Sequence, residues 1–231
     1  NITLTAINQN VGAPIGAVGT LVSSLARLND NVIDPDSNAL TGIAITNADT
    51  TNGTWFYSTN NGSSWIPIGI LSDTNARLLG ANPNTRIYFQ PNATFNGTID
   101  NALTFRAWDQ TTGTNGSTAD TTLTGDATAF SIRTNTAALT INAVNNAPIL
   151  LDTNLLVNTV EDPGVPTGPV GTLVSSLVTL GVNGNVTDPD TNPLTGVAIA
   201  NADTTNGTFF YSTDNGTNWT PLGFVSYTNA R

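Results

Sequence analysis

The sequence contains no cysteine, no histidine, no methionine and no lysine, and only one acidic residue, Glu161, is a glutamate. Each gap removes a class of chemistry. Without cysteine there is no disulfide, no thiolate zinc site and no thiol nucleophile. Without lysine there is no Schiff base and no Lys–Asn cross-link. Serine and threonine abound, but neither histidine nor lysine is present as a base to activate one near neutral pH. Two aspartates separated by one residue, as in Asp188-Pro189-Asp190, sit closer than the paired carboxylates of a glycosidase. The chain is therefore expected not to be an enzyme. No apolar run approaches the roughly 20 residues of a membrane helix, so no membrane insertion is expected in this segment. Positive charge is scarce as well: six basic residues, all arginine, stand against 16 acidic ones, for a net charge of −10. A surface of that sign repels nucleic acid and anionic lipid but accommodates divalent cations.

What is present is a text written twice. Asp34-Pro35-Asp36-Ser37-Asn38-Ala39-Leu40-Thr41-Gly42 returns as Asp188-Pro189-Asp190-Thr191-Asn192-Pro193-Leu194-Thr195-Gly196, 154 positions later. The block Asn47-Ala48-Asp49-Thr50-Thr51-Asn52-Gly53-Thr54 follows the same offset to residues 201–208, whereas residues 18–25 return 152 positions later as 170–177. Gly181-Val182-Asn183-Gly184 absorbs the difference. A period this long is the length of a domain, not of a solenoid repeat, and implies a tandem array. The expected division is a complete repeat over residues 1–148 and the first half of a second copy over residues 149–231. The second copy matches through Asn229-Ala230-Arg231 and carries no counterpart of residues 78–144. It is expected to be one section of a longer array or a half-unit completed by another chain.

Within the repeat, short alternating segments bounded by Gly, Asn and Pro read as strands. The pattern predicts strands at residues 2–7, 40–46, 54–58, 65–70, 86–90, 102–108, 127–133 and 137–144, an extended segment at 18–25, and a second unit opening with 149–160. Asn52-Gly53 reads as a two-residue hairpin turn, because both residues tolerate φ > 0. With Asn60-Asn61-Gly62 it predicts a three-stranded meander. Residues 91–101 and 109–125 read as loops. No window shows helical periodicity. The expected fold is all-β, a sandwich or barrel large enough to bury about two thirds of its unfolded surface.

The acidic turns carry the chemistry. Proline fixes its own φ and biases the preceding aspartate toward extended backbone, where positions i and i+2 share a side. Asp188 and Asp190, and Asp34 and Asp36 in the first copy, thus become candidate ligands for a hard cation that prefers oxygen donors, namely calcium. Ordinary Asx-turn bonding is the competing use of such residues. Asn-x-Ser/Thr sequons at Asn52, Asn61, Asn92, Asn96, Asn206 and Asn215 are what an Asn/Thr-rich composition produces by itself. Trp55, Phe56, Tyr57 and Trp65 form either sheet core or a sugar-binding platform.

Glu161 after a strand, Asp188-Pro189-Asp190, Ala107-Trp108-Asp109 and the junction Asn145-Asn146-Ala147-Pro148 together resemble the cadherin-like repeats of large bacterial surface adhesins, over the whole chain. The resemblance implies tandem Ig/cadherin-like Greek-key β-sandwich domains that bind calcium at their junctions. It implies Glu161 as the basal glutamate, Asp188 and Asp190 as the Asp-x-Asp, Asp109 as the acidic residue of the Ala-x-Asp segment, and Asn145 and Asn146 as the linker. The chain departs from the pattern at Asn146, where bacterial repeats often carry Asp, and in the longer segment after Asp109. Aligned at 152 positions, Glu161 and Asp162 correspond to Gln9 and Asn10, so the first copy lacks two carboxylates of the second. The implied role is a spacer or building block of an extracellular adhesin or filament at the cell surface. Its partners would be neighbouring repeats or like subunits in a fibre-like array. The alternative is a carbohydrate-binding module using Trp55 and Trp65, with a surface glycan as partner.

Overall fold

The computed structural model describes residues 2–151, 157–161 and 163–231. The protein is nearly all β and divides into two compact units, Asn1–Val144 and Asn145–Arg231.

Among the described residues the first unit has eleven strands: β1 (Ile2–Thr3), β2 (Ile7–Asn8), β3 (Thr20–Leu21), β4 (Gly42–Ala48), β5 (Gly53–Ser58), β6 (Ile66–Pro67), β7 (Ala76–Gly80), β8 (Arg86–Pro91), β9 (Gly97–Trp108), β10 (Thr118–Ala119) and β11 (Phe130–Asn142). They form two sheets. The larger has the order β1-β11-β9-β4-β7-β10, with β2 also paired to β11, and the smaller has the order β3-β8-β5-β6. Period-2 alternation sends Trp55, Tyr57, Ile87 and Phe89 of the small sheet and Ile43, Ile45, Leu103, Phe105, Leu139 and Ile141 of the large one into a single apolar cluster. At about 25 cal/mol per Å² of apolar surface removed from water, this layer is the main stabilising term. The large sheet is covered on its other face too. Ala44, Leu78 and Trp108 pack there with Ala129 and Phe130, so β4 is buried on both sides.

Asn52-Gly53 does not make a hairpin. β4 pairs with β7 and β9, whereas β5 pairs with β6 and β8, so the chain crosses from one sheet to the other between them. Neither residue has a positive φ. The crossing is set instead by Asp49, whose carboxylate accepts the Thr51 N–H at 2.9 Å, and by Trp55, whose indole donates to the Asp49 carbonyl at 2.8 Å. Of the expected meander only β5–β6 pairs as a hairpin. Further elements differ from the sequence reading, and β9 begins at Gly97, within residues 91–101 read as a loop. Residues 22–24 form a 3₁₀ turn within the expected extended segment. Residues 130–142 are one strand with register shifts where two strands were expected. β7 and β10 lie in segments read as connections.

The second unit contains β12 (Ile149–Leu150), a short helix α1 (Val174–Leu177), β13 (Val186–Thr187), β14 (Phe210–Tyr211) and β15 (Thr220–Pro221). β12 pairs with β13, and β14 with β15. The expected strand over residues 149–160 is present at its start; residues 152–156 lie outside the described part, as does Asp162.

Candidate functional site

Several local hydrogen bonds recur at equivalent positions of the two copies. The Trp65 indole donates to the Gly16 carbonyl at 3.1 Å, and the Trp219 indole donates to the Gly168 carbonyl at 3.1 Å. Asn31 donates to the Leu25 carbonyl and accepts the Arg27 N–H, and Asn185 does the same with Leu177 and Thr179. Asn75 donates to the Ile70 carbonyl as Asn229 does to that of Phe224. Ile199 and Arg231 exchange backbone hydrogen bonds at 2.7 and 3.2 Å, the register in which Ile45 faces Arg77.

The Asp-Pro-Asp turns have the same local form in both copies. The Asp34 carboxylate accepts the Asp36 N–H at 3.0 Å, and the Asp188 carboxylate accepts the Asp190 N–H at 2.9 Å. One carboxylate of each pair is thus held as an Asx turn. In the second unit the Asp190 carboxylate is also occupied. It accepts the Asn146 N–H at 3.0–3.1 Å and the Asn146 side-chain amide at 2.7 Å. Asn146, Asp188 and Asp190 therefore stand together, and Asn145 donates to the Asn146 carbonyl at 3.2 Å. Glu161 is exposed and lines another cleft of that unit together with Asp203.

In the first unit Asp34, Asp36 and Asp109 line one cleft of about 230 Å³, and Asp126 joins them. β9 positions Asp109 at its end, beside the Trp108 ring, and the carboxylate is held by the Thr111 N–H and hydroxyl at 2.8 and 2.6 Å. Asp126 lies in the segment that returns to cover the large sheet, in a turn where Gly125 and Asp126 both have positive φ. Sequence reading missed it, because only the return of residues 109–129 onto the sheet brings it to the Asp-Pro-Asp turn. Among the described residues no group of three or more acidic side chains converges closely enough to hold a metal ion.

Trp55 is 2 % exposed and packs on Phe89 with ring centroids 4.8 Å apart, so it belongs to the core and offers no face to a sugar. Trp65 is half-buried against Tyr88. Burial raises the Tyr88 phenol above its ordinary pKa.

Gln9, the counterpart of Glu161, is buried. It donates to the Val144 carbonyl at 2.9 Å and accepts from the Asn96 amide at 2.8 Å, tying the start of the repeat to its end. An amide supplies both the donor and the acceptor here, which a carboxylate does not.

Among the described residues no helix is long and apolar enough to cross a membrane. Comparison with protein-family models, curated proteins and solved structures finds no match.

Proposed function

We propose that the chain is a non-enzymatic extracellular structural repeat, a spacer or building block of a cell-surface adhesin or filament, made of tandem Ig/cadherin-like Greek-key sandwiches. The observation that carries this reading is the recurrence of the same turn and capping hydrogen bonds in two successive units of one chain. Duplicated scaffolding of this kind extends a string of domains, each contacting its neighbours, and needs no reacting group. The burial of Trp55 supports the spacer over the carbohydrate-binding alternative.

Calcium belongs to this proposal. Asp34, Asp36, Asp109 and Asp126 line the cleft that would take it in the first unit, and Asp188, Asp190, Asn145 and Asn146 would supply donors in the second, while Glu161 lies on another cleft. The ion would neutralise acidic turns that carry no basic partner in their cleft and so lock the loops at the end of each sandwich. A ligand that binds only the folded state must stabilise it by mass action. Thermal unfolding with calcium and with a chelator tests the reading: a higher melting temperature with calcium is expected, and identical melting curves would contradict the calcium part of the proposal.

A further inference from the structure

Residues 145–151, where the second unit begins, lie along the strand that carries the second Asp-Pro-Asp turn. Ile149 stands opposite Thr187 and Leu150 opposite Val186, and the Leu151 N–H donates to the Asn185 carbonyl at 2.8 Å. Three positions beyond the Ile149–Thr187 pair, in the same register, come Asn146 and Asp190. The ladder does not run unbroken to that point, because Pro148 and Pro189 bring no N–H to it. A side chain closes it instead. The Asp190 carboxylate accepts the Asn146 N–H at 3.0–3.1 Å and the Asn146 Nδ2 at 2.7 Å, and hydrogen bonds to an ionised acceptor are the strong kind.

The receiving strand is fixed by contacts of its own. Asn185 donates to the Leu177 carbonyl at 2.7 Å and accepts the Thr179 N–H at 2.8 Å, and the Asp188 carboxylate accepts the Asp190 N–H at 2.9 Å. Among the described residues neither aspartate forms an ion pair. Two carboxylates so close in the chain and without a basic partner repel unless a donor or a cation lies against them. The Asn146 amide is such a donor and carries no charge. Aspartate, which has the same shape, would bring a third carboxylate to the same place.

We infer that the Asn146 amide stands where a cation would otherwise be needed, so that residues 145–151 are clamped to the second unit without an ion. Asn146 is the positioning residue of this clamp. Calcium bound at Asp188 would add to it without being required by it. The inference rests on the structural-repeat reading and narrows its calcium part.

The test follows hydrogen exchange of the Leu151 amide by NMR in the full chain, with chelator and with calcium. The Leu222 amide, which donates to the Phe209 carbonyl at 2.8 Å, reports on the rest of the unit. In the unaltered chain Leu151 should be protected equally under both conditions. Asn146→Ala should speed its exchange about 10- to 100-fold under both, the loss expected for hydrogen bonds to a charged group. Asn146→Asp should do so in chelator and recover in calcium, because the new carboxylate repels Asp190 until an ion lies between them. Leu222 should not change in either variant. Loss of Leu151 protection in the unaltered chain on chelation makes the ion the clamp and overturns the inference. So does an Asn146→Asp chain that stays protected in chelator, or one that calcium fails to restore. A matching change at Leu222 means that the whole unit opens and overturns a local clamp. Identical melting curves with and without calcium, beside unchanged Leu151 protection, would remove calcium from the proposed function and leave the clamp standing.

Discussion

Residues 53–58 and 207–212 are nearly the same strand in two environments. In the first unit the strand lies between β6 and β8, and its two core-facing aromatic residues, Trp55 and Tyr57, are buried. In the second unit Phe209 stands half exposed and Tyr211 is only partly covered, while the turn that follows keeps its hydrogen bonds. Turns and caps are thus specified by the local sequence and form wherever it occurs. Sheet closure and core burial depend on segments that are distant along the chain.

Core substitutions should separate the two copies most. Trp55→Ala removes a fully buried indole and should cost about 3–5 kcal/mol in denaturant unfolding of the first unit. Phe209→Ala should cost less than ~1 kcal/mol, as befits a side chain with little to lose. Similar losses at both positions would mean that the second copy closes its core by another route.

Glycine substitutions make the same contrast with less energy. Gly53→Ala drives a methyl group into the Gln90 carbonyl and the Phe89 ring and should cost about 1–3 kcal/mol. Gly207→Ala should change stability by no more than about 0.5 kcal/mol.

A third comparison concerns Gln9 and Glu161. Gln9→Glu removes the hydrogen bond from residue 9 to the Val144 carbonyl and places a carboxylate in a buried position, for a loss of about 1–3 kcal/mol. The penalty should be largest at neutral pH and shrink as pH falls through the folded carboxyl's pKa, which burial raises, toward the unfolded value of about 4.3. Glu161→Gln, at an exposed position, should leave stability unchanged in the absence of calcium. Thermal melts of the two variants at pH 7 and pH 4 check both statements.

The smallest effect is electrostatic. Hydrogen bonds from the Asn218 N–H, the Asn218 amide and the Ser212 hydroxyl hold Asp214 down to a pKa of about 2. Because the folded value lies below the ordinary 3.8, the stabilisation is fully present above that value and is lost only as pH falls through about 2. Its counterpart Asn60, bonded to Ser58 and Ser64, does not titrate. An NMR titration should therefore show the Asn218 amide shifting with a midpoint near pH 2 and the Ser64 amide static. A midpoint near 3.8 would mean that the turn is not formed in solution.

The all-β class and most strands were legible because alternation and turn residues are local signals. The crossover at Asn52-Gly53 was not. An Asn-Gly pair between two alternating segments fits a hairpin, and only the distant partners β7, β8 and β9 decide that its flanking strands enter different sheets. β7 was missed because Ala76-Arg77-Leu78-Leu79-Gly80 is buried on both faces around one arginine and so lacks alternation. The Asp-Pro-Asp turns were legible as acidic turns; the cleft that Asp34 and Asp36 share with Asp109 was not, because it depends on where β9 ends relative to that turn. Asp126 carried no signal, since its place depends on how residues 109–129 fold back.

The central claim is that one repeated sequence lies between two strands in the first unit and, among the described residues, beside only one in the second. Native-state hydrogen exchange of the full chain, resolved to peptides covering 53–58 and 207–212, tests it most directly, because protection reports the free energy of local opening. Amides of 53–58 should exchange only with unfolding of the unit, and those of 207–212 at least ~100-fold faster, a difference of about 2.7 kcal/mol in opening free energy. Equal protection of the two strands would contradict the account.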